Sequence, residues 1–118
     1  MKDPRHAKLA KILVDYSTEV RKGDTVQIEF AGPAALPLVC EIHALCLKRG
    51  ARYVDVRCNF PEIQRSFFDH ASTGQIDFFP KHELDFMKQV DVYMAIRGSL
   101  NSKTLATVEP ARMTRHSK

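Results

Sequence analysis

Three short runs in this chain alternate apolar and polar residues with a period of two, and that rhythm restricts the fold more than any other feature. Val26, Ile28 and Phe30 alternate with Thr25, Gln27 and Glu29, and Val54, Val56 and Cys58 share one side of the run 53–58. Val92, Met94 and Ile96 share one side of the run 90–96, with Tyr93 and Ala95 on the other. Such spacing is that of β-strands, and the first run reads as half-buried. Between the first two runs, Pro37 opens a segment in which Leu38, Ile42 and Leu45, with Val39 and Cys46, recur at helical spacing. Gly50, behind Lys48 and Arg49, closes it as a C-terminal cap with cations in the last turn. Strand, helix and strand with short joints make a βαβ unit, whose strands run parallel with a right-handed crossover. The third run, apolar on both sides, suits an interior strand covered by helices on each face. The expectation is a three-layer α/β fold: a short parallel sheet in the order 2-1-3 with helices on both faces.

The remaining segments fit around that sheet. Asp3 before Pro4 is a helix start, since the carboxylate caps free N–H groups and proline at the first helical position loses no hydrogen bond. Leu9, Ile12, Leu13 and Tyr16 follow as one stripe, predicting a helix over 4–17. Lys22-Gly23-Asp24 then turns the chain. A helix over 62–71 carries Ile63, Phe67 and Phe68, and Ser72-Thr73-Gly74 is read as its break. Phe78-Phe79-Pro80 is an apolar hinge before a short helix over 81–89 with Leu84, Phe86 and Met87. Beyond Gly98, Asn101 reads as a cap and a short turn reaches Leu105, while 111–118 form a polar, basic tail expected to fray. With 118 residues, 44% of them apolar, the whole chain is expected to be one domain.

Bulk properties remove several classes. No run approaches the roughly 18 consecutive apolar residues of a membrane span. The basic N-terminus lacks the apolar stretch of a secretory signal. Three cysteines without paired spacing argue against a disulfide framework and for a reducing, cytoplasmic setting. The net charge of +4 comes from cations interspersed with Asp and Glu, which reads as a mixed solvated surface and leaves a nucleic-acid footprint as the lesser alternative.

Candidate reactive groups are sparse. Cys40, His43 and Cys46 offer zinc-ligand chemistry, but on a helix Cys40 and Cys46 stand about 120° apart and no second ligand pair follows. Asp69-His70 and His82-Glu83 set acids beside imidazoles, yet adjacent helical residues point in different directions. The loop FAGPAALP lies where dinucleotide-binding proteins hold phosphate, but it has one glycine, and Pro33 removes an N–H donor. Topology marks one further location. In the order 2-1-3, the crevice outside the C-terminal ends of strands one and three is where open α/β sheets bind ligands. Gly32, Arg97, Gly98, Ser99 and Asn101 fall there as a candidate binding set. The same residues equally serve as a turn glycine, a helix cap and a solvated cation. A free-standing binding module for a nucleotide or RNA is the alternative reading these features leave.

The opening, D-P-R-x-x-K-L-A-K-I-L-V-D-Y-S-T-E-V-R-K-G-D-T-V from Asp3 to Val26, resembles the N-terminus of the M29 family of metallo-aminopeptidases. The likeness continues through P-L-V at Pro37 to Val39 and R-G-A at Arg49 to Ala51. It extends to D-V-Y-M-A-I with Asn101, then V-E-P at Val108 to Pro110. The resemblance implies the N-terminal α/β domain of a longer, two-domain, dimeric, cytoplasmic enzyme that removes N-terminal residues from peptides. It also implies two divalent metal ions (Zn, Co or Mg) held by Glu, His and Asp in a C-terminal domain. On that reading no residue of these 118 is a catalytic or metal-binding group, the partners are a peptide substrate and a second copy, and neither membrane nor nucleic acid is bound.

Overall fold

The computed structural model describes residues 3–97 and 107–109. Strands β1 (Thr25–Ala31), β2 (Tyr53–Asn59), β3 (Val92–Arg97) and β4 (Thr107–Glu109) form one sheet in the order β2-β1-β3-β4. β1 runs parallel to both neighbours, with Val26 level with Val54 and Val92, and Ile28 level with Val56 and Met94. The expected 2-1-3 order is therefore present. β4, antiparallel to β3, was not expected from the sequence. The readings of an Asn101 cap, a turn through Leu105 and a tail at 111–118 lie outside the described residues.

Helix α1 (Pro4–Lys11) starts as its sequence dictates, with the Asp3 carboxylate accepting from the Arg5 amide at 2.9 Å and proline in the first turn. It then widens into a π-helical segment, Ile12–Ser17. The buried stripe is not the expected one. Ile12 and Tyr16, expected in the core, are 51% and 71% exposed, while Ala10, Leu13, Val14 and Thr18 are buried. The buried face is the one that Ala10, Leu13 and Val14 share at helical spacing, which leaves Ile12 aside. The five-residue step of π geometry carries that face on from Leu13 to Thr18, past Tyr16. The Thr18 amide and hydroxyl both donate to the Leu13 carbonyl, at 3.0 and 2.7 Å, which satisfies a buried polar side chain.

Pro33–Ala35 form a single 3₁₀ turn leading into α2 (Leu36–Lys48). Leu38, Val39, Ile42 and Cys46 pack against Val26, Ile28, Phe30, Val92, Met94 and Ile96, with Leu13 and Val14 joining from the first helix. This is the core, and it lies on one face of the sheet. Gly50 ends the helical segment at φ 92°, and a Cβ there would stand 3.2 Å from the backbone of Lys22. Glycine is required both by the left-handed conformation and by this close approach. The Arg49 guanidinium donates to Asp15 at 2.7 and 2.8 Å, tying the end of α2 to the π turn.

β1 is buried on both faces and not half-buried as its alternation suggests: Thr25 and Gln27 are 3% and 4% exposed. Strands on both sides and a helix on the second face remove them from water. Its start is fastened to both neighbours. The Arg52 amide donates to the Asp24 carbonyl, the Asp91 amide to the Thr25 carbonyl, and the Thr25 amide to the Asp91 carboxylate.

Between β2 and β3 run α3 (Pro61–His70), α4 (Thr73–Asp77) and α5 (Lys81–Met87). The expected break is present, since α3 ends at His70 with Ala71 and Ser72 extended, and Ser72 then caps a further short helix, α4. The Ser72 hydroxyl accepts from the Gln75 amide while the Gln75 side chain accepts from the Ser72 amide, a reciprocal capping box. No helix among the described residues is long and apolar enough to cross a membrane.

This packing makes two stability tests specific. Ile42→Ala should lower stability by about 2–5 kcal/mol in urea titration, whereas Tyr16→Ala should change it by less than about 0.5 kcal/mol. A large loss at Tyr16 would contradict the π register. The Arg49 guanidinium holds the Asp15 carboxyl below its ordinary value. The ion pair therefore stabilises above the unfolded carboxylate pKa of about 4 and is lost as pH falls through the lowered folded value. Asp15→Asn should flatten the acid limb of a stability-versus-pH curve; an unchanged limb would contradict this pairing.

Candidate functional site

Three locations combine polar chemistry or accessible surface with a defined framework. The first is the crevice at the C-terminal ends of the parallel strands. In its described part it is a cavity of about 60 Å³ lined by Glu29, Phe30, Ala31, Asn59, Ala95 and Ile96. That is room for about two waters at ~30 Å³ each. The Asn59 amide donates to Glu29 across it at 3.1 Å. Gly32, from the candidate binding set, lies just past β1 at φ 77° and opens the 3₁₀ turn. Arg97 ends β3. Gly98, Ser99 and Asn101 lie outside the described residues. The loop after β1 is a 3₁₀ turn built on Pro33, not a cradle of glycine amides.

The second location is the sheet face opposite the core. Alternation puts Gln27, Glu29, Tyr53, Asp55, Arg57, Asn59 and Tyr93 on this side, and α5 packs over part of it. The Phe86 ring meets Tyr53 edge-on with centroids 6.0 Å apart and lies 5.8 Å from the Arg57 guanidinium. Arg57 donates to Asp55 at 3.0 Å and to Glu83 of α5, and Gln27 donates to Asp55 at 3.3 Å. Glu83 is the main cause, and Asp55 the lesser, that holds the Arg57 guanidinium above its ordinary value. An open cavity of about 350 Å³ lies among Gln27, Glu29, Arg57, Glu83, Met87 and Tyr93. Its one guanidinium is already held by two carboxylates, so it presents no strong anion site, and no nucleophile stands beside a base. The network's chemistry is that of a clamp holding α5 on the sheet. Sequence reasoning missed it: Glu83 is weighed there only beside His82, and the alternation that sets Asp55 and Arg57 on one side of β2 does not pair Arg57 with Glu83.

The third location is apolar. None of α3, α4 or α5 has a fully buried residue. Eleven of the fifteen large apolar side chains exposed among the described residues fall between Tyr53 and Met87. Phe60, Ile63, Phe67 and Phe68 line an open cavity of about 440 Å³ with Cys58, and Phe67 and Phe78 line a second of about 760 Å³ with His70. Charged residues of α3, namely Glu62, Arg65 and Asp69, fall by helical spacing on the side away from Ile63 and Phe67.

The isolated motifs carry no chemistry. Cys40 is exposed while Cys46 is buried, and burial pushes the Cys46 thiol up to about 12, so it stays protonated. His70 Nδ1 contacts the Ser66 carbonyl at 2.9 Å while Asp69 faces Arg65 at 3.6 Å. His82 stands 3.9 Å from Glu83, beyond hydrogen-bond reach, and Glu83 is engaged by Arg57. No three His, Cys, Asp or Glu side chains converge for a metal ion among the described residues. These residues therefore do not fit a pair of divalent cations, and no catalytic step is placed on them.

Comparison with known proteins places this geometry. Residues 2–118 match the family described as thermophilic metalloprotease (M29). No curated protein matches the sequence. Among solved structures, wild-type AmpT from Thermus thermophilus superposes with a TM-score of 0.64 at 22% identity, over 82% of this chain and 25% of that one. The chain thus spans about a quarter of the length of that relative, and at this identity the likeness speaks to the fold.

The clamp is testable. Arg57→Ala should lower stability by about 1 kcal/mol, a modest loss because the side chain is 35% exposed. It should also raise amide exchange across α5. Unchanged exchange in α5 would show that the helix is held by other contacts.

Proposed function

Because the chain belongs to the thermophilic metalloprotease (M29) family, we propose that it is the N-terminal, non-catalytic domain of a divalent-metal-dependent aminopeptidase acting on peptides. The metal pair and the bond-cleaving groups belong, on this reading, to a further domain. The observation that carries it is the match in fold to one quarter of a much longer chain. Divalent ions in metal-dependent hydrolysis polarise the scissile carbonyl and activate water, and among the described residues no three His, Cys, Asp or Glu side chains converge to hold one.

The apolar side of α3 and α4 supports the same reading. Phe60, Phe67, Phe68 and Phe78 together leave roughly 450 Å² in water, taking about 200 Å² per residue. That is the size of the largest apolar patch on a typical domain, and such patches are often functional. In the proposed enzyme the catalytic domain covers them, and this domain serves as one wall of the substrate cleft. The sheet provides rigidity, and the Arg57 clamp fixes where the second wall-forming layer begins.

Leucine-p-nitroanilide hydrolysis by the 118-residue chain, with added Co²⁺ or Zn²⁺, checks the assignment. No release above the metal-only blank is expected. Robust turnover would place the ligands within these residues and overturn the proposal.

A further inference from the structure

The open cavity beside the Arg57 clamp is lined by side-chain oxygens that the described residues leave without donors. Gln27 is 4% exposed. Its Nε2 donates to Asp55 at 3.3 Å, which leaves Oε1 with no donor among the described residues. A buried amide oxygen in that state is costly unless a water or a ligand satisfies it. In Glu29, Oε2 accepts from the Asn59 side-chain amide and Oε1 is left over. In Glu83, Oε2 accepts from Arg57, and Oε1 stands 3.9 Å from the His82 ring, beyond hydrogen-bond reach. All three residues line the same cavity of about 350 Å³, a volume within the range of small-ligand pockets, about 300–1,000 Å³. The local charge is negative although the chain carries +4. Glu29, Glu83 and the adjoining Asp55 outnumber Arg57, the one cation lining the cavity.

We propose that this cavity is a binding site for a primary ammonium group on an aliphatic stem, the head of a lysine side chain or of a free alkylamine. An ammonium carries three donors and no acceptor, which matches one oxygen each from Gln27, Glu29 and Glu83. A guanidinium fits less well. Its planar fork seeks both oxygens of one carboxylate, and each carboxylate here already accepts on one of them. A metal ion lacks ligands, because no three His, Cys, Asp or Glu side chains converge among the described residues. Water satisfies a single oxygen but leaves the excess negative charge in place. Met87 and Tyr93 supply the rest of the wall, along which methylene groups pack while the charged head reaches the oxygens. The Gln27 oxygen separates the site from a solvated group of acids, because its burial makes a donor from outside the chain worth most there. The site stands apart from the peptidase assignment; either can fail without the other.

Nuclear magnetic resonance on the isotope-labelled full chain tests this, with Nα-acetyl-lysine N-methylamide added at fixed ionic strength. The Gln27 side-chain amide and the backbone amides of Glu29, Glu83 and Tyr93 should shift along one saturable curve. The norleucine counterpart, which keeps the aliphatic stem and lacks the charge, should bind at least roughly tenfold more weakly. Cadaverine, the diamine left when lysine loses its carboxyl group, tells the two sources apart. Tighter binding of cadaverine marks a free amine, and tighter binding of the lysine derivative marks a polypeptide side chain. Glu29→Gln keeps an oxygen for Asn59 and the shape of the side chain, and should weaken binding by roughly tenfold. Glu62→Gln, the same change of charge on the exposed α3, should leave binding unchanged. Gln27→Met should also weaken it; where that variant loses its native circular dichroism, the Glu29 and Glu62 pair decides. The proposal is overturned by the absence of a saturable shift at these residues, or by equal binding of the norleucine derivative. Equal losses in Glu29→Gln and Glu62→Gln overturn it too, since the effect would then be one of overall charge.

Discussion

The closure of β1 on every side is the constraint on which the rest of the structure depends. A parallel strand between two others has both backbone edges satisfied, so its side chains decide what covers each face. Val26, Ile28 and Phe30 demand an apolar cover, and α1 with α2 provides it. Thr25, Gln27 and Glu29 face the other way, where an apolar cover would strand their polar atoms without partners. That side is closed by hydrogen bonds and one ion-pair network, with α5 as its outer layer. The two faces of the sheet are thus held by different physics, packing on one and a charged clamp on the other.

The difference explains why the second layer is thin. A packed core fixes α2 at many points, whereas α5 is held through Arg57, Glu83 and the Phe86 ring. α3 and α4, between β2 and α5, have their apolar residues turned to solvent. A domain meant to stand alone would bury that side or make it polar. In the enzyme proposed above, a further domain would cover that side.

Much of this was legible in the residues. Alternation located all three parallel strands, and Gly50 behind Lys48-Arg49 located the end of α2, because period and capping are local properties. Ile12 misled because the buried face is the one shared by Ala10, Leu13 and Val14. Tyr16 misled because a helical stripe assumes about 3.6 residues per turn, while the π turn rotates the positions after it about the axis. Ser72-Thr73-Gly74 does end the preceding helix, as read, but the short helix that Ser72 and Gln75 then cap was not foreseen, because its capping box sits inside the break itself. β4 offers three residues with no alternating run to betray it. The Arg57–Glu83 contact joins positions 26 residues apart, and a single sequence gives no signal for such a pairing. Of the crevice residues, Gly32 sits at the end of β1 as the topology implied, in a left-handed conformation that suits glycine.

The central claim is that one face is a cooperative core while the α3–α4 layer awaits cover. Native-state hydrogen exchange on the isolated chain measures this most directly, since protection reports local opening free energy. Amides of β1 and α2 should exchange only through global unfolding, while those of α3 and α4 exchange orders of magnitude faster. Equal protection in both would contradict the account, because the layer would then be a finished part of a self-sufficient domain.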